Sequence, residues 1–81
     1  MRVLIVDDHR IVAQGCRALN ADDPEIDILE ASDAQTGEHE YGEQQPDICV
    51  LDINLPTVSG FELARRILDR DALARIIMFS M

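Results

Sequence analysis

Four short apolar runs recur along the chain, and each has the length of one buried strand. They predict strands at residues 2–6, 26–31, 48–52 and 75–79. Three of the runs are almost continuously apolar, as is typical of strands that are buried on both faces of a sheet. The second run alternates polar and apolar residues, which predicts a strand near one side of the sheet.

Apolar residues at helical spacing separate these strands and predict helices between them. The first helix is predicted for residues 9–20. Ser32 and Gln35 have the spacing of a capping box and predict the start of the second helix. Gly37 and Gly42 interrupt that second segment, so it is the weakest of the predicted elements.

A second capping box, Ser59 and Glu62, opens the third predicted helix after a loop at residues 53–58. Residues 69–74 are predicted to link this helix to the last strand. The resulting order is β-α-β-α-β-α-β. This order predicts the α/β class, with a parallel sheet, helices on both faces and right-handed crossovers.

Acidic residues end two of the predicted strands. Asp7 and Asp8 close the first run, Asp52 closes the third, and the hydroxyl of Ser80 follows the fourth. In open α/β sheets, ligands bind beyond the carboxyl ends of the strands. We therefore expect these side chains to face one crevice.

Three carboxylates in one crevice would have to bind a proton or a cation, because unit charges about 4 Å apart repel by roughly 4 kcal/mol at an effective dielectric of about 20. An oxygen-only site with few protein ligands favours Mg²⁺. The carboxylate that remains free can act as a nucleophile towards phosphorus. Separate helix caps or loop acids are the structural alternative.

Composition limits the classes of protein to be considered. The chain has 81 residues, so it is a single small domain, and 47% of them are hydrophobic. The net charge is −9 and no residue is lysine, which argues against binding to nucleic acid or to an anionic membrane. No stretch is long enough to span a bilayer, and Cys16 and Cys49 suggest buried, reduced thiols. We expect a cytoplasmic protein.

Other phosphate or metal motifs do not fit. No glycine-rich nucleotide-binding loop follows the first strand. The segment that begins at Asp52 and Asn54 starts like a calcium loop. However, Pro56, Thr57 and Leu63 stand where that loop needs a ligand, a glycine and a bidentate glutamate.

Taken together, the motifs resemble the receiver domain of two-component response regulators over the whole chain. The matching stretches are residues 3–9, 46–52, Pro56 with Ser59-Gly60, and 76–80. The Asp-Asp-His start and the segment Leu51-Asp52-Ile53-Asn54-Leu55-Pro56 are most similar to the NarL/FixJ branch.

The resemblance implies a flavodoxin-like, doubly wound, three-layer fold with strand order 2-1-3-4. It implies that Asp52 accepts a phosphoryl group from a sensor histidine kinase. Asp7 and Asp8 would hold Mg²⁺ together with Asp52 and the backbone carbonyl of Asn54. The Ser80 hydroxyl would follow the phosphoryl oxygen and switch the conformational state.

The resemblance also predicts that residues 1–81 are a receiver domain truncated after its fourth strand. The lysine of the family would lie past Met81, on a missing fifth strand. DNA binding would belong to an absent output domain, and the chain would catalyse only its own phosphorylation and dephosphorylation. The exposed fourth strand is expected to pair with a second copy, giving a homo-oligomer.

Alternatives remain open at this stage. An aspartyl-nucleophile phosphatase could use a similar sheet, although such enzymes usually carry an acid where Asn54 stands. A receiver-like interaction module without phosphorylation is the other alternative. At the level of residues, Asp8 could cap the first helix, and His9 is expected to be a first-turn residue near the site rather than a ligand. A solvated surface with ion pairs is expected for four arginines, Arg65, Arg66, Arg70 and Arg75.

Overall fold

The computed structural model of the chain describes residues 1–9, 14–18 and 23–80. Residues 14–18 are helical and are called α1 here. The ends of the predicted first helix, and with them the predicted capping role of Asp8, lie outside the described residues. The two longer helices are α2 (Ala34–Gln44) and α3 (Gly60–Arg70).

Four parallel strands form one sheet in the order β2-β1-β3-β4. They are β1 (Arg2–Val6), β2 (Asp27–Ala31), β3 (Ile48–Asp52) and β4 (Ile76–Phe79). The predicted α/β class and the strand order 2-1-3-4 are thus confirmed. The alternating strand β2 lies at one edge, as expected, and β4 lies at the other.

The core lies where α2 and α3 pack on the two central strands. Leu4 of β1 and Leu51 of β3 have no exposed surface, and neither do Leu63 and Ile67 of α3. Because α3 carries its apolar side chains on one face, it packs with that face against β3. The end of β3 is where the predicted site lies.

The start of α2 differs from the prediction. The N-cap is Asp33, whose side chain accepts a hydrogen bond from the backbone N–H of Thr36 at 2.7 Å. The predicted capping box of Ser32 and Gln35 is therefore wrong by one residue. Asp33 has the extended backbone of an N-cap residue (φ −150°). Its carboxylate therefore accepts the free N–H group in the first turn of the helix, and Ser32 lies outside the cap.

The two glycines of α2, Gly37 and Gly42, do not interrupt the helix. Gly37 is buried, and a Cβ at this position would lie 2.9 Å from Cγ2 of Val6 in β1. The small residue therefore lets the helix approach the sheet closely, which corrects the prediction of a weak, interrupted segment. Ser59 caps α3 as predicted, accepting from the N–H of Glu62 at 3.2 Å, but α3 continues to Arg70, beyond the predicted start of the linker.

Neither long helix, nor any other in the described part of the chain, is long and apolar enough to cross a membrane. The two cysteines form no disulfide with each other. Cys49 is buried as predicted, and burial raises the pKa of its thiol to about 11, whereas Cys16 is only half-buried.

Candidate functional site

Three carboxylates meet at the carboxyl ends of β1 and β3. Asp7 and Asp8 follow β1 directly, and Asp52 is the last residue of β3. Because β1 and β3 are adjacent and parallel, their ends lie side by side. One carboxylate oxygen from each acid and one ring nitrogen of His9 all lie within 4.8 Å of one another. These four residues are called the acid cluster below.

Asp52 is completely buried, and only one of its oxygens is hydrogen-bonded. Its Oδ1 accepts from the backbone N–H of Asn54 at 2.9 Å. Its Oδ2 is buried and has no hydrogen-bond partner among the described residues. A buried carboxylate oxygen without a partner is costly, so this oxygen needs a proton or a cation.

Asp7 has the same arrangement on β1. Its Oδ1 accepts from the backbone N–H of His9 at 3.1 Å and lies 2.8 Å from the Nδ1 atom of the same residue. Its Oδ2 is buried and, within the described part of the chain, unpaired. In both buried acids, therefore, one oxygen holds the local backbone and the other remains available.

His9 lies inside the acid cluster. Its Nδ1 atom is 3.1 Å from Oδ1 of Asp8 and 3.6 Å from Oδ2 of Asp52. The hydrogen bond to Asp7, followed by the negative charges of the neighbouring acids, raises the pKa of His9 above its ordinary value. Asp8 and His9 are both partly open to solvent, so the acid cluster is accessible from outside.

The loop after β3 is tied to the end of β4. The side-chain amide of Asn54 donates to Oγ of Ser80 at 3.4 Å. Phe79, which precedes Ser80, is paired with Asp52 in the sheet. Ser80 therefore lies on the same edge of the sheet as the acid cluster, as the sequence predicts, and the Asn54 side chain helps to hold this loop.

Gly60, the first residue of α3, lies against the backbone of the site. A Cβ at this position would lie 2.0 Å from the backbone oxygen of Asp52 and 3.0 Å from Cα of Ile53. The N–H of Gly60 donates to the backbone oxygen of Ile53 at 2.9 Å. The absence of a side chain here thus lets α3 begin directly against the backbone of Asp52 and Ile53.

Sequence reasoning placed the three acids together correctly, and Ser80 at the same edge of the sheet. It missed the depth to which the imidazole of His9 enters the acid cluster. A signal was present, because a histidine that directly follows two strand-end acids can turn back towards them through an Asx-type turn.

Of the four arginines predicted to form a solvated surface with ion pairs, Arg65 and Arg66 form such pairs. On α3, Arg65 pairs with Glu62 and Asp69, and Arg66 pairs with Glu38 of α2. None of these pairs uses the carboxylate of Asp7, Asp8 or Asp52. Hard carboxylate oxygens of this kind fit a divalent cation well.

The comparison with known sequences gives a consistent result. The chain matches the family described as Response regulator receiver domain over residues 3–81. It is 38% identical over 71 residues to the DNA-binding transcriptional activator DevR/DosR of Mycobacterium tuberculosis, covering 86% of this chain and 33% of the relative. It is 30% identical over 79 residues to the nitrate/nitrite response regulator NarL of Escherichia coli K12, covering 96% of this chain and 37% of that protein. The chain thus spans about a third of the length of these relatives.

Solved structures are similar over nearly the whole chain. A two-component response regulator of the LuxR family from Aurantimonas sp. SI85-9A1 has a TM-score of 0.88 at 42% identity, covering 99% of this chain and 58% of that one. A structure of histidine kinase ThkA in complex with response regulator protein TrrA has a TM-score of 0.85 at 26% identity, covering 98% of this chain and 67% of that one.

Proposed function

The chain belongs to the response regulator receiver domain family, as the sequence predicts, and on this basis we propose that Asp52 accepts a phosphoryl group from a sensor histidine kinase. The observation that carries the proposal is the buried carboxylate at the end of β3, with an unpaired Oδ2 beside a second buried acid. Carboxylates can take a phosphoryl group as an acyl phosphate.

In the proposed step, a carboxylate oxygen of Asp52 attacks the phosphorus of a phosphohistidine. The P–N bond breaks, and its electron pair leaves with the imidazole, which takes up a proton. The new bond is the O–P bond of an acyl phosphate. Attack by water later releases inorganic phosphate and restores the carboxylate, so the chain catalyses only its own phosphorylation and dephosphorylation.

We assign Mg²⁺ to the carboxylates of Asp7, Asp8 and Asp52 and to the backbone carbonyl of Asn54. The ion would neutralise charge on the phosphoryl oxygens, which is most of what phosphoryl transfer requires. The two unpaired buried oxygens support this assignment, because Mg²⁺ is commonly bound through one or two carboxylates.

We further propose that the Ser80 hydroxyl follows the phosphoryl oxygen and shifts the conformational equilibrium. The hydrogen bond from Asn54 to the Ser80 hydroxyl supports this role, because a movement of Ser80 would break this bond and change the loop after β3. A phosphoryl group shifts the equilibrium between two conformations only if it makes different contacts in each of them. In this proposal the hydroxyl of Ser80 makes such a contact in one conformation and not in the other.

The kinase partner is supported by analogy with the complex of ThkA and TrrA. The relative DevR/DosR is described as a DNA-binding transcriptional activator, which likewise supports a transcriptional output. In this proposal a domain outside this chain binds the DNA. A cytoplasmic location remains a prediction from the sequence.

Phosphorylation can be tested with a small phosphodonor. Incubation of the chain with acetyl phosphate and Mg²⁺ should give an acid-labile adduct on Asp52, found by mass spectrometry. We expect a low yield, because none of the 81 residues is lysine and the family's lysine contact is therefore missing. Asp52→Asn should lose the adduct, whereas Asp69→Asn, an exposed acid on α3, should keep it.

Other outcomes of this experiment would favour the alternatives. Unchanged labelling of Asp52→Asn would exclude Asp52 as the phosphoacceptor. Release of many phosphates per chain from phosphate esters would indicate a phosphatase, although Asn54 stands at the position where those enzymes usually carry an acid. No Mg²⁺-dependent adduct in the folded chain would favour a silent interaction module.

We also propose that β4 pairs with β4 of a second copy. Strand β4 lies at the edge of the sheet, and Ile77 at its centre is 55% exposed. An edge strand with an apolar exposed side chain is a template for another strand. We expect concentration-dependent dimers by light scattering, which Ile77→Lys should abolish.

Leu73 provides the control for this prediction. It is more exposed than Ile77, at 89%, but it lies in the turn before β4 rather than on the strand. Leu73→Lys adds the same charge without touching the strand edge, so it should leave the dimer intact. A monodisperse monomer of the unaltered chain at millimolar concentration would contradict the proposal.

A further inference from the structure

Four potential ligand atoms converge in the acid cluster, and one of them is a nitrogen. The Nδ1 atom of His9 lies 2.8 Å from Asp7 Oδ1, 3.1 Å from Asp8 Oδ1 and 3.6 Å from Asp52 Oδ2. Two ligands at right angles on one ion, each about 2.1 Å from it, are separated by about 3.0 Å. In the metal-free chain the 2.8 Å contact is the hydrogen bond described above, in which Nδ1 donates to Asp7. The same spacing suits two ligands of one ion once that hydrogen is replaced by a metal.

A second observation points to a ligand in the acid cluster. Oδ2 of Asp7 and Oδ2 of Asp52 are both buried, and the described residues supply neither with a hydrogen bond. The side chain of Asp7 is 1% exposed and that of Asp52 is 0% exposed, so water does not compensate them freely. These two oxygens distinguish the acid cluster from an ordinary group of surface acids.

The position of the imidazole is built into the local backbone. Oδ1 of Asp7 accepts the N–H of His9 at 3.1 Å, which turns residue 9 back towards the end of β1. The ring thus stays beside the carboxylates because the chain itself is turned there. A ligand that is already in place loses little conformational entropy when an ion binds.

We propose that His9 Nδ1 is a metal ligand, so that the site takes a divalent first-row transition ion with mixed nitrogen and oxygen ligands in addition to Mg²⁺. Imidazole is a favourable ligand for zinc, nickel, iron and copper, whereas Mg²⁺ prefers oxygen alone. The inference rests on the proposed metal site, but not on transfer of a phosphoryl group.

A competing explanation predicts the opposite result. If the ring merely fills the place of a cation, any ion must displace it, and removal of the ring would strengthen the binding of every divalent ion. If the ring is a ligand, its removal weakens the binding of transition ions selectively. The sign and the selectivity of the change therefore decide between the two explanations.

The test measures Co²⁺ and Mg²⁺ binding by calorimetry, on the full 81-residue chain without a histidine tag. The variant is His9→Gln, which keeps a polar side chain but has no imidazole. The control is His39→Gln, since His39 is the other histidine and is exposed on α2. Circular dichroism should show that all three proteins are folded.

We expect His9→Gln to weaken Co²⁺ binding by about tenfold or more, since loss of even an outer-shell partner typically costs about 10–100-fold. Mg²⁺ affinity should change much less, and His39→Gln should behave as the unaltered chain. Proton NMR of the Co²⁺ form should show strongly shifted ring signals that are absent from His9→Gln and retained in His39→Gln.

Each other outcome overturns the inference. Equal losses for both ions, no loss of Co²⁺ affinity, or stronger binding in His9→Gln would exclude His9 as a ligand. If the unaltered chain binds Mg²⁺ but these outcomes occur, only the role of His9 fails. If the unaltered chain binds neither ion, the proposed metal site fails as well.

Discussion

Gly60→Ala is expected to lower the free energy of unfolding by about 3 kcal/mol or more and to abolish Mg²⁺-dependent phosphorylation. The new Cβ would lie 2.0 Å from the backbone oxygen of Asp52 and 2.8 Å from its carbonyl carbon. Overpacking against a side chain costs about 1–3 kcal/mol, but here the obstacles are backbone atoms of β3 that cannot rotate away. The end of β3 must therefore move, and the phosphoacceptor moves with it.

Thermal unfolding measures this effect directly. For a domain of this size, about 3 kcal/mol corresponds to a decrease in Tm of roughly 12–24 °C. The matched control is Gly15→Ala in α1, where a new Cβ would meet nothing within 4 Å. That change should hold or raise the Tm, because alanine favours a helix by about 1 kcal/mol over glycine. A wild-type Tm for Gly60→Ala would refute the close contact.

Much of the fold could be predicted from the chain because the apolar pattern and the topology reinforce each other. Alternation of strands and helices requires parallel strands, and right-handed crossovers restrict their order. The strand order 2-1-3-4, which the family resemblance implies, then places the ends of β1 and β3 side by side and brings Asp7 and Asp52 together. The acidic part of the site was predictable for this reason.

The details that failed depend on distances rather than on patterns. Gly37 was expected to weaken α2. However, a Cβ at this position would lie too close to Val6 of β1, so the glycine is required for close packing of the helix on the sheet. The N-cap of α2 is Asp33 and not the predicted Ser32. Both side chains can accept a hydrogen bond from the first turn, and only the backbone geometry determines which of them does so. Thr57 adopts a φ of 70°, and this conformation is not expected from the sequence because β-branched residues rarely have a positive φ.

The role of the imidazole illustrates the same limit. The sequence shows that His9 follows two acids, but not whether its ring turns outwards or back. The hydrogen bond from the backbone N–H of His9 to Asp7 determines the direction of the ring. That bond forms only when the folded strand β1 holds the Asp7 side chain in place. Side-chain direction after a strand end is therefore determined by tertiary structure.

Asp52→Asn is expected to stabilise the metal-free chain and to lose most of its stabilisation by Mg²⁺. The substitution keeps the size of the side chain and an acceptor for the N–H of Asn54. It removes one of the charges that lie within 4.8 Å of one another. Two charges about 4 Å apart repel by roughly 4 kcal/mol at an effective dielectric of about 20, and the nearby His9 ring offsets part of this.

We expect a net gain of about 1–2 kcal/mol without divalent ions, measured by urea unfolding in the presence of a chelator. With Mg²⁺ at about 100 times its dissociation constant, the unaltered chain should gain about 2.7 kcal/mol and the variant much less. The order of stability of the two proteins should therefore reverse when Mg²⁺ is added.

Two further variants make this reversal specific to the buried acids. Asp8→Asn, at the exposed side of the acid cluster, should weaken Mg²⁺ binding with a smaller effect on metal-free stability, because water already screens its charge. Asp69→Asn on α3 should change neither quantity appreciably. If Asp52→Asn is less stable than the unaltered chain without metal, or gains as much from Mg²⁺, then the unpaired Oδ2 atoms are not the strained part of the site. The cation would then have to be held by Asp7 and Asp8 without Asp52.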